Sequence, residues 1–319
     1  MGREGNTAHK VSLEVVLMEQ AAPKHISVCI PTYKRPWMLQ RCLEALERQE
    51  VDNFSYSVVV VDNDAERSAR DVVERRAKCS PIPIQYHVEP VRSFSLARNK
   101  AVECSRGDLI AFIDDDEFPE RSWLLSLYNA YRQYRVDGVL GPVLPFFEVP
   151  PPKWLAMSGL CNRPSFETGI QLTSSKYMRT GNVLLKRDIL DEGSAPFDPS
   201  LGRTGGEDAD LFERLLRKGC SFVWCRDARV REEVPEERQK RTYYLRRALL
   251  RGITSARDES FFSLDTFKSL VAVVLYTASL PLLVIATHHL FMRYLVKDCD
   301  HVAKLLARCG LILVRERAF

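Results

Sequence analysis

Residues Leu109-Ile110-Ala111-Phe112-Ile113-Asp114-Asp115-Asp116-Glu117-Phe118-Pro119 (LIAFIDDDEFP) run five apolar side chains directly into four carboxylates and a proline. A short apolar run with β-branched members and an abrupt polar stop reads as a buried strand. Four adjacent like charges repel, and a divalent cation between two of them relieves that repulsion. All-oxygen ligands suit Mg²⁺ or Mn²⁺, which commonly hold substrate phosphates as well. Acidic residues at a strand end are also often no more than a solvated turn.

The same pattern recurs on both sides of this stretch. His25–Ile30 (HISVCI) is a β-branched run ending at Pro31, and Tyr56–Val61 (YSVVVV) is continuous and apolar, as in a parallel strand covered on both faces. Ile82–Val88 reads as a third strand. Between them, Pro36–Glu47 carries Met38, Leu39, Cys42, Leu43 and Leu46 at helical spacing, Ala65–Ala77 is a charged helix, and Ser95–Cys104 is another. Strands alternating with helices predict an α/β fold with a doubly wound, mostly parallel sheet. In such sheets ligands gather beyond the carboxyl ends of the strands. Three of those ends carry Pro31-Thr32-Tyr33, Asp62-Asn63-Asp64 and Asp114-Asp115-Asp116. Further on, the prolines of Pro142–Trp154 predict a long loop, and Met178–Lys186 a late strand preceded by a turn. Glu207–Lys218 is a helix with Glu207 and Asp208 in its first turn and a stop at Gly219. Acidic residues there also favour a helix N-terminus by themselves, by about 0.3–1 kcal/mol.

The chain has 319 residues, 45% hydrophobic and 28% charged, with a formal net charge of +4, as for one large globular domain or two modest ones. Its nine cysteines form no C-x-x-C pair and no His cluster accompanies them, which disfavours zinc and reads as reduced cytosolic thiols. There is no G-x-x-x-x-G-K-[ST] loop, no EF-hand spacing, and no G-x-G-x-x-G after the first strand, which excludes P-loop and calcium-loop chemistry and disfavours a dinucleotide fold. Residues 1–24 lack an apolar leader core and read as a variable, poorly ordered lead. Ser269–Phe291 has no Asp, Glu, Lys or Arg and is long enough for a bilayer. Basic residues flank it: Arg246, Arg247, Arg251, Arg257 and Lys268 before, Arg293, Lys297, Lys304 and Arg308 after. Positive charge at both ends, with Pro281 inside, favours a segment that dips in and returns, although a single span and a buried soluble helix both remain open. Val302–Val314 reads as an amphipathic helix on a membrane surface or against the main domain.

Taken in order, Pro31–Pro36 (PTYKRP), Val59–Asn63 (VVVDN), Leu96–Asn99 (LARN), the Asp triplet and Gly205–Asp208 (GGED) resemble a family 2 inverting glycosyltransferase with the nucleotide-sugar-binding GT-A fold. The tail Val230–Gly252 is similar to bacterial exopolysaccharide glycosyltransferases of the succinoglycan type, and the resemblance runs from about Ile26 to Phe291. It implies a catalytic domain over 25–225, an Arg-rich helical tail over 226–268 and a membrane-associated segment over 269–319. Pro31, Thr32 and Tyr33 would line the nucleobase pocket together with Arg35, and Asp62 would accept hydrogen bonds from the base. Arg98 would approach the diphosphate or brace the acidic cluster. Asp114 would face ribose or metal, Asp116 would ligate Mn²⁺ or Mg²⁺, and Asp115 holds the middle place. Glu117 reads as solvated or structural, and Pro119 as the turn out. Asp208, beside Glu207, matches the catalytic base, and Gly181-Asn182 a segment near sugar or acceptor. Arg246 and Arg247 would cover the diphosphate or meet anionic lipid. The implied partners are a nucleoside-diphosphate sugar, most simply a UDP-sugar, and a lipid-linked or membrane-bound glycan acceptor at the cytoplasmic face of the inner membrane, with no nucleic acid. Two departures qualify this. No Q-x-x-R-W motif is present, which favours transfer of one sugar over polymerisation, and Arg231 stands where some relatives carry a metal-ligating His. A sugar nucleotidyltransferase and a catalytically silent nucleotide-sugar-binding relative are the alternatives.

Overall fold

The computed structural model describes residues 24–190, 195–202, 205–256, 263–312 and 314. The expected lead over 1–24 therefore falls, but for its last residue, outside the described residues, as does Arg257. The strands are β1 (Lys24–Thr32), β2 (Phe54–Asp62), β3 (Ile84–Val88), β4 (Leu109–Ile113), β5 (Glu117–Pro119), β6 (Gly138–Leu140), β7 (Val143–Phe146), β8 (Asn182–Lys186), β9 (Phe222–Trp224) and β10 (Val230–Glu233). The helices are α1 (Pro36–Leu46), α2 (Arg70–Cys79), α3 (Phe94–Cys104), α4 (Trp123–Tyr134), α5 (Lys153–Ser158), α6 (Glu207–Arg217), α7 (Arg241–Ser255), α8 (Leu264–Ala286) and α9 (His288–Arg308). They form two compact units, one of residues up to Val143 with Ser165–Val230, the other of Leu144–Pro164 with Arg231 onward.

The first unit is built on a seven-stranded sheet of order β3-β2-β1-β4-β8-β6-β9. β3, β2, β1 and β4 are mutually parallel, as are β6 and β9, and β8 runs antiparallel to both of its neighbours. The sheet is thus mostly parallel, with one reversed strand that the sequence pattern did not reveal. Side chains alternate between faces. Ile26, Val28, Ile30, Val58 and Val60 join Leu39 and Leu43 of α1 and Trp123 and Leu127 of α4 in one apolar layer. Cys29, Val59, Val61, Ile110 and Phe112 join Ala97 and Ala101 of α3 and Leu211, Phe212 and Leu215 of α6 in the other. Burial on both faces explains why β2 and β4 read as unbroken apolar runs.

Register decides the site. Thr32 pairs with Asp62, and Ile113 pairs with Asn182. The parallel pairing lines up the ends of β1 and β2, and the antiparallel pairing brings the residues entering β8 beside those leaving β4. Gly107 fixes the approach to β4. A Cβ there would lie 2.6 Å from the Leu109 carbonyl oxygen and from the Ser27 amide nitrogen, so only glycine fits.

Several expectations need correcting. α2 begins at Arg70 rather than Ala65, because 65–69 turn under Asp62, which accepts the Ala69 amide at 2.8 Å. Pro142–Trp154 is not one loop, since it contains β7 and the start of α5. Pro119 ends β5 rather than turning out of the cluster.

In the second unit, Leu155 of α5, Tyr244 and Ala248 of α7 and Val296 of α9 share a small core. The apolar segment is α8, with Pro281 inside a continuous helix; the chain breaks at Thr287, which is extended at φ −158°. The expected separate helix over 302–314 is instead the end of α9, which starts at His288 and stops at Arg308. Among the described residues α8 is the one helix long and apolar enough to cross a membrane by length and composition.

Candidate active site

Two guanidinium groups organise the carboxylates at the end of β4. Arg98, on α3, is 6% exposed. It donates to Glu207 Oε1 at 2.5 Å and to Asp114 Oδ1 at 3.3 Å, and lies 3.7 Å from Asp208 Oδ1. Burial alone would lower its pKa, but Asp208, Asp114 and Glu207 together hold it above the ordinary range. Arg98 thus braces the acidic cluster. Arg35 lies partly exposed on the other side, donating to Asp115 Oδ1 at 3.3 Å and Asp116 Oδ2 at 3.0 Å.

The triplet therefore divides. Asp114 projects toward Arg98 and keeps 39% of its side chain exposed. Asp115 turns inward, accepting Thr32 Oγ1 at 2.7 Å, and burial raises its pKa from 3.8 to about 7 despite the opposing pull of Arg35. Asp116 is buried beside Arg35. Glu117 is 1% exposed, and its Oε2 accepts the Asp114 amide at 3.1 Å. Of the two expectations for Glu117, solvated or structural, only the structural one fits a residue so enclosed.

Asp208 sits in the first turn of α6, after Gly205 and Gly206, whose φ values of 78° and 99° lie in the left-handed region that glycine adopts without strain. Its Oδ1 accepts Thr180 Oγ1 at 2.6 Å. Thr180 is fully buried. It was missed as a site residue, although the adjoining Gly181-Asn182 was picked out. Burial raises the pKa of Glu207, while Arg98 opposes it. Gly181 passes so close to the cluster that a Cβ would lie 2.6 Å from Glu117 Oε1 and 3.2 Å from Asp114 Oδ2. Asn182 points away from the cluster and into the fold. It donates to the Pro142 and Ala228 carbonyls at 3.0 and 2.7 Å and accepts the Trp123 indole N–H at 2.8 Å.

At the ends of β1 and β2, Asp62 is fully enclosed. It accepts Tyr86 Oη and the Ala69 amide at 2.8 Å each, and the Asp64 amide at 3.2 Å. These three donors leave one acceptor site, on Oδ1, which takes only the Asp64 amide. Tyr33, next to Pro31 and Thr32, is half-buried, with the Arg92 guanidinium 4.2 Å over its ring. Asn63 fixes the loop leading to α3 by donating to the Glu89 and Val91 carbonyls and accepting the Ser93 amide. Arg246 and Arg247 are exposed on α7, in the second unit.

The donor set at the β4 end is all oxygen, and among the described residues no group of three His, Cys, Asp or Glu is arranged to hold a metal. Two carboxylates that leave most of the coordination sphere to water and phosphate suit Mg²⁺ or Mn²⁺ rather than a caged ion.

Residues 27–193 match the glycosyl transferase family 2. The succinoglycan biosynthesis protein ExoM of Rhizobium meliloti (strain 1021) is 34% identical over 236 residues, covering 73% of this chain and 74% of that protein. A glucosyl-dolichyl phosphate glucuronosyltransferase of Haloferax volcanii is 24% identical, covering 71% and 74%. Among solved structures, the mannosyltransferase PcManGT from Pyrobaculum calidifontis, in complex with GDP-Man and Mn²⁺, superposes with a TM-score of 0.61 at 18% identity, covering 96% of this chain and 95% of that one. TarS 1–349 of S. aureus, in complex with UDP-GlcNAc, gives a TM-score of 0.54 at 15% identity, covering 90% and 92%. The chain belongs to glycosyl transferase family 2 and is a glycosyltransferase.

Proposed function

We propose that this enzyme moves one sugar, with inversion, from a nucleoside-diphosphate sugar to a lipid-linked or membrane-bound glycan during exopolysaccharide or surface-glycan synthesis, on the cytoplasmic face of the inner membrane. The observation that carries the reading is the placement of Asp208. It shares Arg98 with Asp114, so a base and a metal-side carboxylate flank one buried cation. Asp208 takes the proton of the attacking hydroxyl, and the short bond from Thr180 holds the carboxylate in one rotamer for that transfer. Asp114 and Asp116 would hold Mn²⁺ or Mg²⁺, which would supply Lewis-acid stabilisation of the departing diphosphate. Thr32, Tyr33, Arg35 and Asp62 bound the nucleobase side, with Asp115 as the buried link between Thr32 and Arg35. Gly181 allows close approach of the sugar, and Arg246 and Arg247, exposed on α7, supply positive charge for anionic headgroups.

Support comes from the family match, from the succinoglycan biosynthesis protein as a relative, and from neighbours of the same fold solved with UDP-GlcNAc or with GDP-Man and Mn²⁺. A uridine donor is the choice we put first. The test is a screen of nucleoside-diphosphate sugars, measuring nucleoside diphosphate release with membrane lipid extract and Mn²⁺. Release that needs lipid, and that Asp208→Asn lowers by about 10²–10⁴-fold, is expected. Full transfer by Asp208→Asn would remove the base assignment.

A further inference from the structure

Helix α8 is amphipathic in the reverse sense for a soluble protein. Apart from the exposed Lys268, its polar contacts are made toward the protein. Asp265 pairs with Lys304, Thr266 accepts from Arg308, Ser269 meets His301 at 3.2 Å, and Thr277 donates to Asp298 at 3.1 Å, all toward α9. Tyr276 packs edge-on against Tyr294. The opposite stripe is aliphatic and aromatic, and exposed: Leu264, Phe267, Val271, Val274, Leu282 and Ile285, the last 87% exposed. Those positions recur at helical spacing along the whole 23-residue length of α8. An apolar face of that extent on a soluble surface marks an interaction site.

The partners across the hairpin show how α8 meets its environment. Residues 265, 269 and 277 meet 304, 301 and 298, so α9 runs antiparallel beside α8. α9 is itself held against α7, where a Cβ on Gly252 would lie 2.2 Å from the Asp300 carbonyl oxygen. If α8 crossed the hydrocarbon core, α9 would go with it and carry Arg293, Lys297, Asp298, Asp300, Lys304 and Arg308 to membrane depth. Ionised side chains there are strongly disfavoured. With α8 lying in the plane of the membrane, the aliphatic stripe enters one leaflet and α9 stays on the water side.

We infer that α8 is an in-plane, monotopic membrane-docking helix, and that its partner is the surface of an anionic bilayer. Charge favours lipid over a second copy of the chain. The exposed charged side chains on this hairpin are Lys268, Arg293 and Lys297, while Asp265 and Asp300 are half-buried and Asp298 is buried. Cations attract anionic headgroups and would repel their own kind across a dimer. This extends the membrane part of the proposed function and needs no assignment of catalytic residues, so either can fail without the other.

The test uses the full chain, without donor, added to preformed phosphatidylcholine vesicles with and without phosphatidylglycerol. The chain floats with the vesicles, more so with phosphatidylglycerol, and the doubly substituted Val274→Asp, Leu275→Asp chain loses about tenfold in partitioning while keeping its thermal unfolding, because both side chains are exposed. A membrane-impermeant maleimide added outside reaches the thiol of His288→Cys, at the hairpin turn, as readily as the native exposed Cys79. Protection of that thiol while Cys79 is labelled would mean a crossing hairpin and overturn the inference. Partitioning unchanged by the aspartates, or a concentration-dependent dimer that the aspartates dissociate in the absence of vesicle binding, would overturn it as well.

Discussion

At Arg98 a single side chain holds three carboxylates from distant parts of the chain, Asp114, Glu207 and Asp208. Removing a buried partner strands the opposite charges, so Arg98→Ala is expected to lower stability by about 3–5 kcal/mol, read as a fall in the urea midpoint. Arg98→Lys is not a rescue, because one ammonium cannot serve Glu207 and Asp114 as a planar fork does. Thr180 acts on the same group differently. Thr180→Val keeps the shape and removes the 2.6 Å bond to Asp208, so kcat should fall while donor KM stays near wild type. An equal rise in KM would assign Thr180 to donor binding instead. Asp208→Asn should lower transfer by about 10²–10⁴-fold with donor affinity retained, measured by single-turnover transfer and by nucleotide binding. The acid types at these positions were legible from the sequence, and the family resemblance already set Asp114 and Asp116 apart from Asp115 and Glu117. The partners were not legible: that Asp115 turns to Thr32 and Glu117 folds under Asp114 depends on side-chain direction and burial set by β1 and α1, which local spacing does not encode.

The elements that build this edge differ in how openly the sequence displays them. β2 and β4 could be read because burial on both faces writes itself as a continuous apolar run. α6 was plain from its glycines, its acidic first turn and its apolar stripe. β8 was harder, since its reversal is a non-local pairing between β4 and β6, and nothing in NVLLK states a direction. The device that fixes β8 in place is Asn182, tied at once to the Pro142 and Ala228 carbonyls and to the Trp123 indole. Its side chain works on the scaffold, and its sequence neighbours Thr180 and Gly181 work on the site. Asn182→Ala leaves these buried groups without that partner, at a cost of about 1–3 kcal/mol for each one stranded. We expect a lower melting temperature and weaker transfer together, both recovering in part at low temperature. Asn182→Ala with full stability and reduced transfer would instead move Asn182 from the scaffold to the substrate.

Across the whole molecule a net charge of +4 conceals a strongly acidic ligand edge, and that imbalance ties stability to pH. Asp115 has its pKa raised from 3.8 to about 7, chiefly by burial and further by Asp116 and Asp114, while Arg35 and Thr32 hold it back. The unfolded chain releases this proton near the ordinary carboxylate value; the folded chain keeps it until about neutrality. Between those limits the native state binds more protons than the unfolded state, so stability falls as pH rises. Burial pushes Asp62 and Glu207 in the same direction. In chelator-treated protein these three groups should therefore pull the urea midpoint down as pH is raised from about 4 to about 7, against the opposite contribution of Asp108 and Asp137, whose pKa values are lowered. Asp115→Asn, close in shape and uncharged, should flatten part of that slope and leave the portion due to Asp62 and Glu207. Mn²⁺ should restore stability mainly at the upper end of the range, because an ion that binds only the native state stabilises it, and its carboxylate ligands must be ionised to hold it. If Asp115→Asn titrates with the wild-type slope, the inward carboxylate is already ionised throughout and Arg35 outweighs its burial. If Mn²⁺ stabilises equally at both ends of the range, the ion is held by groups other than Asp114 and Asp116.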